Sequence, residues 1–481
     1  MMLSPHKLSQ VLLLSLLVVA PRLVAAQGAP APAATGDSLR ISLDEAVALA
    51  VGEGDEVGIA MAQRDIADAQ FGAARANLLP QLRVSGSYQH VYESARGQAV
   101  GSVFNQPNTY TGNLNLSQTI FQGGRLVSAA RAANDLREAS RYDATERIAL
   151  VSLQVQRSYL QALFAERIAE LQERNMTLAS SRVTQVEQFE RAGRAARYDV
   201  LRARVERANI EPLAIQARND RVLALLELKR LLNLPVERPL ALATRIGPHA
   251  ATAVLASVDD AAAAPDRATV RSAERIVSAR RFGVAVARAD YWPTISAFAQ
   301  SGYQAFPLSG LPRANGALTE GACPAGSTPG RLCQNGGWFS DRLAGLSISM
   351  PVFDGFRVKS NVDIAKAQLR LADLQLRQER EAVSVEVART RAELHRSRAL
   401  YSARQQNSIE AEEAFRLATL RFARGLSTQL EVSDAQLALL TAQSTEARAT
   451  YDLFLASADL ARSLGRPIPT PTAAPLPSSP R

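Results

Sequence analysis

The 481-residue sequence predicts a mixed α and β membrane protein made of two tandem structural repeats, each with a β-hairpin and a very long helix. Residues 125–192 and 356–424 contain neither glycine nor proline. A helix of that length would extend about 100 Å at 1.5 Å per residue. From Phe121 onward the second half repeats the first at a constant offset of 232 residues, which indicates a duplication. Segments in which apolar and small polar residues alternate precede both runs, and this period-two pattern predicts membrane strands.

The amino terminus, residues 1–26, has the features of a signal peptide. An apolar core at 11–20 follows a weakly basic lead, and the small residues at 24–26 suit a signal peptidase. A transmembrane anchor is the less favoured alternative because the apolar run is short and is broken by Ser15 and Pro21. We therefore expect an exported protein whose mature chain begins with a proline- and alanine-rich linker, residues 27–40.

Composition argues against an enzyme, a metal protein or a nucleic-acid-binding protein. The net charge of +9 is spread along segments that also carry many acids, as on solvated helix faces. The four histidines lie far apart in the sequence and lack metal-ligand spacing. The sequence contains neither a phosphate-binding glycine loop nor a nucleophile elbow. We expect no enzymatic activity, no cofactor and no nucleic-acid partner.

The first repeat, residues 41–235, is expected to begin with a helix. A capping box at Ser42 to Glu45 marks its start, and the helix should continue to about Asn77. It should stop before Pro80, because proline disfavours helical backbone in the residue that precedes it.

A β-hairpin is predicted at residues 81–121. Leu82, Val84 and Tyr88 alternate with small polar residues, which is the pattern of a strand between lipid and a water-filled lumen. A half-buried soluble hairpin is the alternative. The long helix at 125–192 follows, and a returning helix is expected at 196–234.

The second repeat, residues 266–466, follows the same order after a connector at 236–265. We expect a helix, a β-hairpin at 294–353, a long helix at 356–424 and a returning helix at 427–464. The loop of this hairpin contains Cys323 and Cys333, which are expected to form a disulfide in an oxidising compartment. Residues 467–481 are expected to be a disordered tail.

Two apolar seams run along the second long helix. The first seam includes Val362, Ala372 and Val383, and the second includes Ile364, Leu371 and Leu374. One seam makes a two-stranded coiled coil, whereas two seams allow packing on both sides, as in the wall of a tube. Four strands per chain cannot close a membrane barrel, and lipid does not tolerate an open sheet edge. Several chains are therefore expected to share one barrel.

The repeated order of helix, Leu-Pro, hairpin, Phe-x-Gly-x-Arg, long helix, glycine turn and returning helix resembles the TolC-like outer-membrane efflux protein family over about Ile41 to Pro467. The resemblance implies a homotrimer with a 12-stranded transmembrane β-barrel continuous with an α-helical barrel across the periplasm. It places the protein in the outer-membrane lipid of a Gram-negative bacterium. The implied partners are a periplasmic adaptor protein and an inner-membrane transporter, either a proton-driven drug pump or an ATP-driven exporter of type I secretion.

The resemblance also implies a periplasmic gate just past the glycine turns. Asp199, Glu431 and Asp434 match the family's acidic gate residues by position. A ring of carboxylates at a constriction favours cations. Ordinary solvated helix positions are the alternative interpretation of these acids.

This chain departs from the family pattern at two gate positions. Phe422 occupies the position of a familiar tethering tyrosine, and Ser427 occupies that of an arginine. These departures put in doubt the family's tyrosine and arginine contacts that tether the gate helices. Tyr198 and nearby arginines are the candidates to replace them. The family's adaptor contacts would correspond to the helix turns, namely Gly193, Arg194, Gly425 and Leu426.

Two other functions are kept as alternatives to an efflux or secretion duct. A general diffusion porin would need the strands but not the long helices, and an exported coiled-coil structural or adhesion protein would explain the helices but not the hairpins. The sequence does not distinguish drugs, metals, peptides or a secreted protein as the cargo.

Overall fold

The computed structural model describes residues 39–93, 95, 98, 108–244, 267–307, 311 and 338–466. The expected signal peptide, the disulfide of Cys323 and Cys333 and the expected tail lie outside the described residues. The elements, in chain order, are β1 (Leu39–Ile41), α1 (Leu43–Glu53), α2 (Asp55–Ala76), β2 (Gln81–His90), β3 (Asn108–Gln122), α3 (Arg125–Arg191), α4 (Arg197–Leu231), β4 (Leu240–Leu242), α5 (Ala268–Arg288), a 3₁₀ turn (Ala289–Tyr291), β5 (Thr294–Ala305), β6 (Trp338–Ser349), α6 (Arg357–Ala423) and α7 (Gln429–Ser463).

The helix expected from Ser42 to Asn77 is two helices. The capping box is present, with the Ser42 amide donating to the Glu45 carboxylate at 2.7 Å, but α1 ends at Glu53. Gly54 has extended backbone at φ −73° and ψ 133°. A Cβ atom there would lie 2.1 Å from the Ala50 carbonyl oxygen, so a residue without a side chain allows this sharp break.

The linker expected at 27–40 is also shorter than predicted. Leu39 and Arg40 belong to β1, which pairs in parallel with β4. The Tyr159 hydroxyl of α3 donates to the Ile41 carbonyl at 2.9 Å and accepts from the Thr244 amide at 3.2 Å. Tyr159 is fully buried among Leu43, Val155 and Leu228 of the first-half core, so one long helix anchors this small sheet.

The four long strands form one antiparallel sheet in the order β2-β3-β5-β6. One row across the sheet shows the register: Val84 pairs with Leu114, Leu114 with Ser301, and Ser301 with Arg342. One face, called the apolar face below, carries most of the large aliphatic side chains of the strands. Its members include Leu82, Val84, Leu114, Leu116, Ala297, Ala299, Leu346 and Ile348.

The strand-to-helix junctions use left-handed backbone. Gly123 and Gly124 precede α3 with φ of +53° and +76°, and Gly355 and Phe356 precede α6 with φ of +67° and +65°. A Cβ atom on Gly123 would lie 2.7 Å from the Ala289 carbonyl oxygen, so this turn needs glycine for both its conformation and its packing.

The helices pack side by side as a wall, and the long helices α3 and α6 each run its full length. Near the sheet the packing order is α2-α3-α5-α6, and towards the other end it is α4-α3-α7-α6. The first seam of α6 is packed inside this wall, and Val362, Ala372 and Val383 are buried. In the second seam Ile364 and Leu371 remain exposed. Within the described part of the chain, no helix combines the length and apolar character needed to cross a bilayer.

A buried charge network crosses the middle of the wall. Glu146 of α3 accepts from Arg267, the cap of α5, at 2.9 Å and from Arg462 of α7 at 2.8 Å. Both arginines also pair with Glu386 of α6. The side chains of Arg267 and Arg462 are only 7% and 12% exposed. The network therefore joins four helices from both halves of the chain.

Candidate functional site at the helix tips

At the end of the wall opposite the sheet, two turns with matching backbone geometry connect the helices. Gly193 and Gly425 have φ of +72° and +75°, which favours glycine. After the first turn the Arg194 amide donates to the Phe189 carbonyl at 2.8 Å, and the equivalent hydrogen bond after Gly425 is 2.9 Å. This pattern closes each long helix and reverses the chain within a few residues.

The tips expose several large side chains. Leu426 is 66% exposed and Tyr198 is 70% exposed. The guanidinium of Arg194 lies 4.6 Å from the centre of the Phe189 ring, so the first tip presents a cation above an aromatic side chain. Such a mixture of exposed apolar and cationic groups can contact another protein.

The three acids of the predicted gate do not meet one another in the described structure. The Asp199 carboxylate accepts a hydrogen bond from the Ala196 amide at 3.0 Å, so it caps the start of α4. The Glu431 amide donates to the Thr428 hydroxyl at 3.3 Å. Glu431 and Asp434 are both exposed residues. Among the described residues, no hydrogen bond or ion pair links these acids to the opposite tip.

The helices on either side of each tip form a helical hairpin, the first from α3 and α4 and the second from α6 and α7. The two unusual gate positions lie within the second of these hairpins. Phe422 is half-buried, and the Ser427 hydroxyl donates to the Ala418 carbonyl at 3.4 Å. Neither side chain bridges the two hairpins of this chain. Any bond between the hairpins near the tips must therefore come from other residues.

A polar chain that the sequence analysis did not identify makes this link. Arg182 of α3 donates to the Ser433 hydroxyl of α7 at 2.9 Å, and that hydroxyl donates to the Glu206 carboxylate of α4 at 3.2 Å. Arg202 donates to the other Glu206 oxygen, also at 3.2 Å. Burial lowers the pKa of the Arg182 guanidinium, and the nearby charge of Glu206 opposes this shift. This series of hydrogen bonds, from Arg182 through Ser433 and Glu206 to Arg202, is called the polar latch below.

A second polar contact lies farther from the tips. The Gln436 amide of α7 donates to the Asn175 side-chain carbonyl of α3 at 2.6 Å, and both residues are 8% exposed. Asn175 interrupts the buried apolar stripe formed by Leu171, Ala179 and Val183. A polar residue at such a position was the available sequence signal, because a buried amide requires a hydrogen-bond partner.

Comparisons with known proteins identify related chains. A family model described as outer membrane efflux protein matches residues 54–234 and 262–466. Nodulation protein T of Rhizobium leguminosarum bv. trifolii is 26% identical over 405 residues, which cover 82% of this chain and 79% of the relative.

Solved outer-membrane channels share the fold. The CmeC outer membrane channel of Campylobacter jejuni has a TM-score of 0.72 at 16% identity and covers 88% of this chain and 85% of its own. The outer membrane protein VceC of Vibrio cholerae has a TM-score of 0.68 at 20% identity, with coverages of 89% and 97%. The open-state MtrE channel of Neisseria gonorrhoeae has a TM-score of 0.61 at 22% identity, with coverages of 88% and 89%.

Proposed function

The chain belongs to the outer membrane efflux protein family, and on this premise we propose that it is the outer-membrane exit duct of a tripartite efflux or type I secretion system. Three copies form one channel, which passes cargo from an inner-membrane pump and a periplasmic adaptor to the outside. The duct moves cargo without catalysing a reaction. The observation that carries this proposal is that, among the residues that the structure describes, the sheet and the helix wall of one chain both have open edges.

The sheet edges are complementary. β2 and β6 are the outer strands, and the alternating antiparallel order makes β6 antiparallel to β2. β6 of one copy can therefore pair with β2 of the next by the same hydrogen-bond pattern. Three copies give a closed barrel of 12 strands, which leaves no unpaired backbone edge in lipid.

The helix wall supports the same assembly. On one edge, Ile59 and Ile66 of α2 are 59% and 57% exposed, and on the other edge Ile364 and Leu371 of α6 are 55% and 56% exposed. Each pair has heptad spacing, which suits packing between long helices. Burying a fully exposed side chain of this size contributes about 1.5–3 kcal/mol. These side chains are already nearly half-buried, so each contributes about half of that range, and the stripes favour association of α6 with α2 of the next copy.

The helix tips supply the gate and the adaptor surface. Opening requires the second hairpin to move away from the first, and the polar latch holds the two together in the closed channel. Asp199, Glu431 and Asp434 place carboxylates near the narrow end and favour cations there. Arg194 and Leu426 are exposed on the turns and form part of the surface that meets the adaptor.

The duct is tested by oligomeric state and conductance. The protein extracted from outer membranes should have the mass of three chains and should give small, stable single-channel currents in planar bilayers. A soluble monomer without channel activity would refute the duct. Large ungated currents would instead favour a diffusion porin.

The gate is tested separately in the same bilayers. Ser433→Ala removes the centre of the polar latch and should raise the single-channel conductance at least twofold. Glu187→Gln is the matched control, because Glu187 forms an exposed pair with Arg204 within the first hairpin. The combined change Asp199→Ala with Glu431→Ala should also raise conductance, because divalent cations held by these carboxylates would oppose opening. Unchanged currents in Ser433→Ala would count against the latch.

A further inference from the structure

We propose that Arg342, Ser301, Tyr303 and Ser340 form a binding site for the phosphate group of an anionic membrane lipid. The site lies on the apolar face of the sheet. The proposal rests on the proposed function, because it requires this face to contact the lipid of the outer membrane.

The strand register brings the four side chains together. Arg342 of β6 lies directly opposite Ser301 of β5, and Ser340 lies directly opposite Tyr303. Side chains two residues apart on one strand share a face, so all four lie on the same face in two neighbouring rows. Directly opposite Cβ atoms are about 4.5–5.5 Å apart and diagonal ones about 7–8 Å apart. One phosphate group can therefore be reached from all four positions.

The charge of Arg342 is isolated on this face. It is the one arginine, lysine, aspartate or glutamate among the described strand residues of the apolar face, and Arg83 and Asp341 belong to the opposite face. Arg342, Ser301, Tyr303 and Ser340 are exposed, and the described residues provide none of them with a side-chain hydrogen bond or an ion pair. An unpaired guanidinium on a lipid-facing surface is unfavourable unless an anion in the membrane neutralises it.

The neighbouring rows place this cation at a membrane interface. In the row beyond Ser340, Tyr88 and Tyr110 stack with ring centres 4.7 Å apart, and Trp338 lies at the end of that row. Tyrosine and tryptophan concentrate where lipid head groups begin. On the other side of Arg342 the rows contain Ala299 and then Leu346, which suit acyl chains. Arg342 thus lies between the aromatic girdle and the hydrocarbon, where a lipid phosphate is within reach.

The donor set fits a phosphate. A guanidinium offers a planar pair of N–H groups that can bind two phosphate oxygens at once, and the three hydroxyls of Ser301, Ser340 and Tyr303 can donate to the remaining oxygens. A soluble anion would satisfy the same donors but would gain nothing from the surrounding apolar rows. The lipid is favoured because its phosphate and its acyl chains match adjacent parts of one surface.

The test measures lipid binding to the full-length protein extracted in detergent. Native mass spectrometry would follow titration with bisphosphorylated lipid A and with the same lipid A after enzymatic dephosphorylation. Arg342→Leu, which matches the apolar face, should weaken binding of the phosphorylated lipid at least fivefold. Arg83→Leu is the control, because Arg83 is an exposed arginine on the opposite face of the same sheet and should leave binding unchanged.

Two further measurements keep the outcome decisive. Tyr303→Phe removes one donor without changing charge and should weaken binding about twofold, and the unmodified protein should bind the dephosphorylated lipid at least fivefold more weakly. Equal binding of lipid A by Arg342→Leu and the unmodified protein would overturn the site. Displacement of the lipid by an equal concentration of inorganic phosphate would overturn the lipid as its ligand.

Channel currents separate this proposal from the duct itself. Normal bilayer currents with unchanged lipid affinity in Arg342→Leu would refute only the phosphate site. Failure of the unmodified protein to insert into bilayers would refute the duct and the phosphate site together.

Discussion

Substitution of Glu146 by glutamine tests the charge network that joins the two halves of the chain. Glu146 is the more buried of the two carboxylates in the network, at 13% exposure against 30% for Glu386, and it neutralises both Arg267 and Arg462. Glutamine keeps the volume but removes the charge, so two buried guanidinium groups must share Glu386. Removing one partner of a buried ion pair costs about 3–5 kcal/mol, and the low end applies because Glu386 remains.

The loss of stability should be visible in the local opening of α5, whose cap Arg267 belongs to the network. A loss of about 3 kcal/mol corresponds to about a hundredfold faster amide hydrogen exchange wherever exchange follows the opening equilibrium. Hydrogen exchange of the detergent-solubilised protein, followed by mass spectrometry over the first turns of α5, would measure it. Glu413→Gln is the control, because Glu413 and Arg416 form an exposed pair on α6. That change should accelerate exchange less than about threefold.

The combined change of Glu146→Gln and Arg462→Gln distinguishes charge balance from simple loss of a contact. It leaves one arginine, Arg267, beside one carboxylate, Glu386, so exchange should be slower than in Glu146→Gln alone. Equal exchange rates in Glu146→Gln and Glu413→Gln would refute the reasoning that the network holds the helices together.

Three other substitutions give independent tests. Tyr159→Phe should destabilise the fold by about 1–2 kcal/mol at neutral pH, because it removes the hydroxyl that bridges Ile41 and Thr244. Burial raises the pKa of Tyr159, so its stabilising effect is full below the unfolded pKa of about 10 and is lost as pH rises through the folded pKa; alkaline denaturation should therefore be less steep in the phenylalanine variant. Gly193→Ala should cost about 1 kcal/mol by forcing a side chain into left-handed backbone, and should speed proteolysis at the first tip without affecting the second. Leu371→Asp should yield smaller assemblies by light scattering, and a trimer of normal stability would contradict the proposed α6 edge.

Local sequence patterns predicted the kinds of element well. The absence of glycine and proline from 125–192 predicted α3, which ends at Arg191, and the run to Arg424 predicted α6, which ends at Ala423. The alternation around Leu82 and Val84 predicted β2. These features depend on backbone preference and on side-chain period, both of which are determined by neighbouring residues.

The candidate site was predicted only in part. Gly193 and Gly425 marked both turns because glycine is favoured in left-handed backbone. The capping role of Asp199 depends on the amide of a residue three positions earlier, yet a single acid near a helix start does not distinguish a cap from a gate residue. The sequence contained no signal for the link through Ser433, because a serine that bridges two other helices cannot be told from one that faces solvent.

The sequence by itself determined the two long helices, the glycine turns that end them and which strand faces are apolar, because these depend on short-range periodicity. Only the tertiary structure decided that Gly54 divides the first helix, that Ser433 connects Arg182 to Glu206, and that Glu146 meets Arg462 across a separation of 316 residues. Such pairings depend on the register between packed helices, which a periodic pattern leaves open. They set which contacts must break if the two hairpins separate.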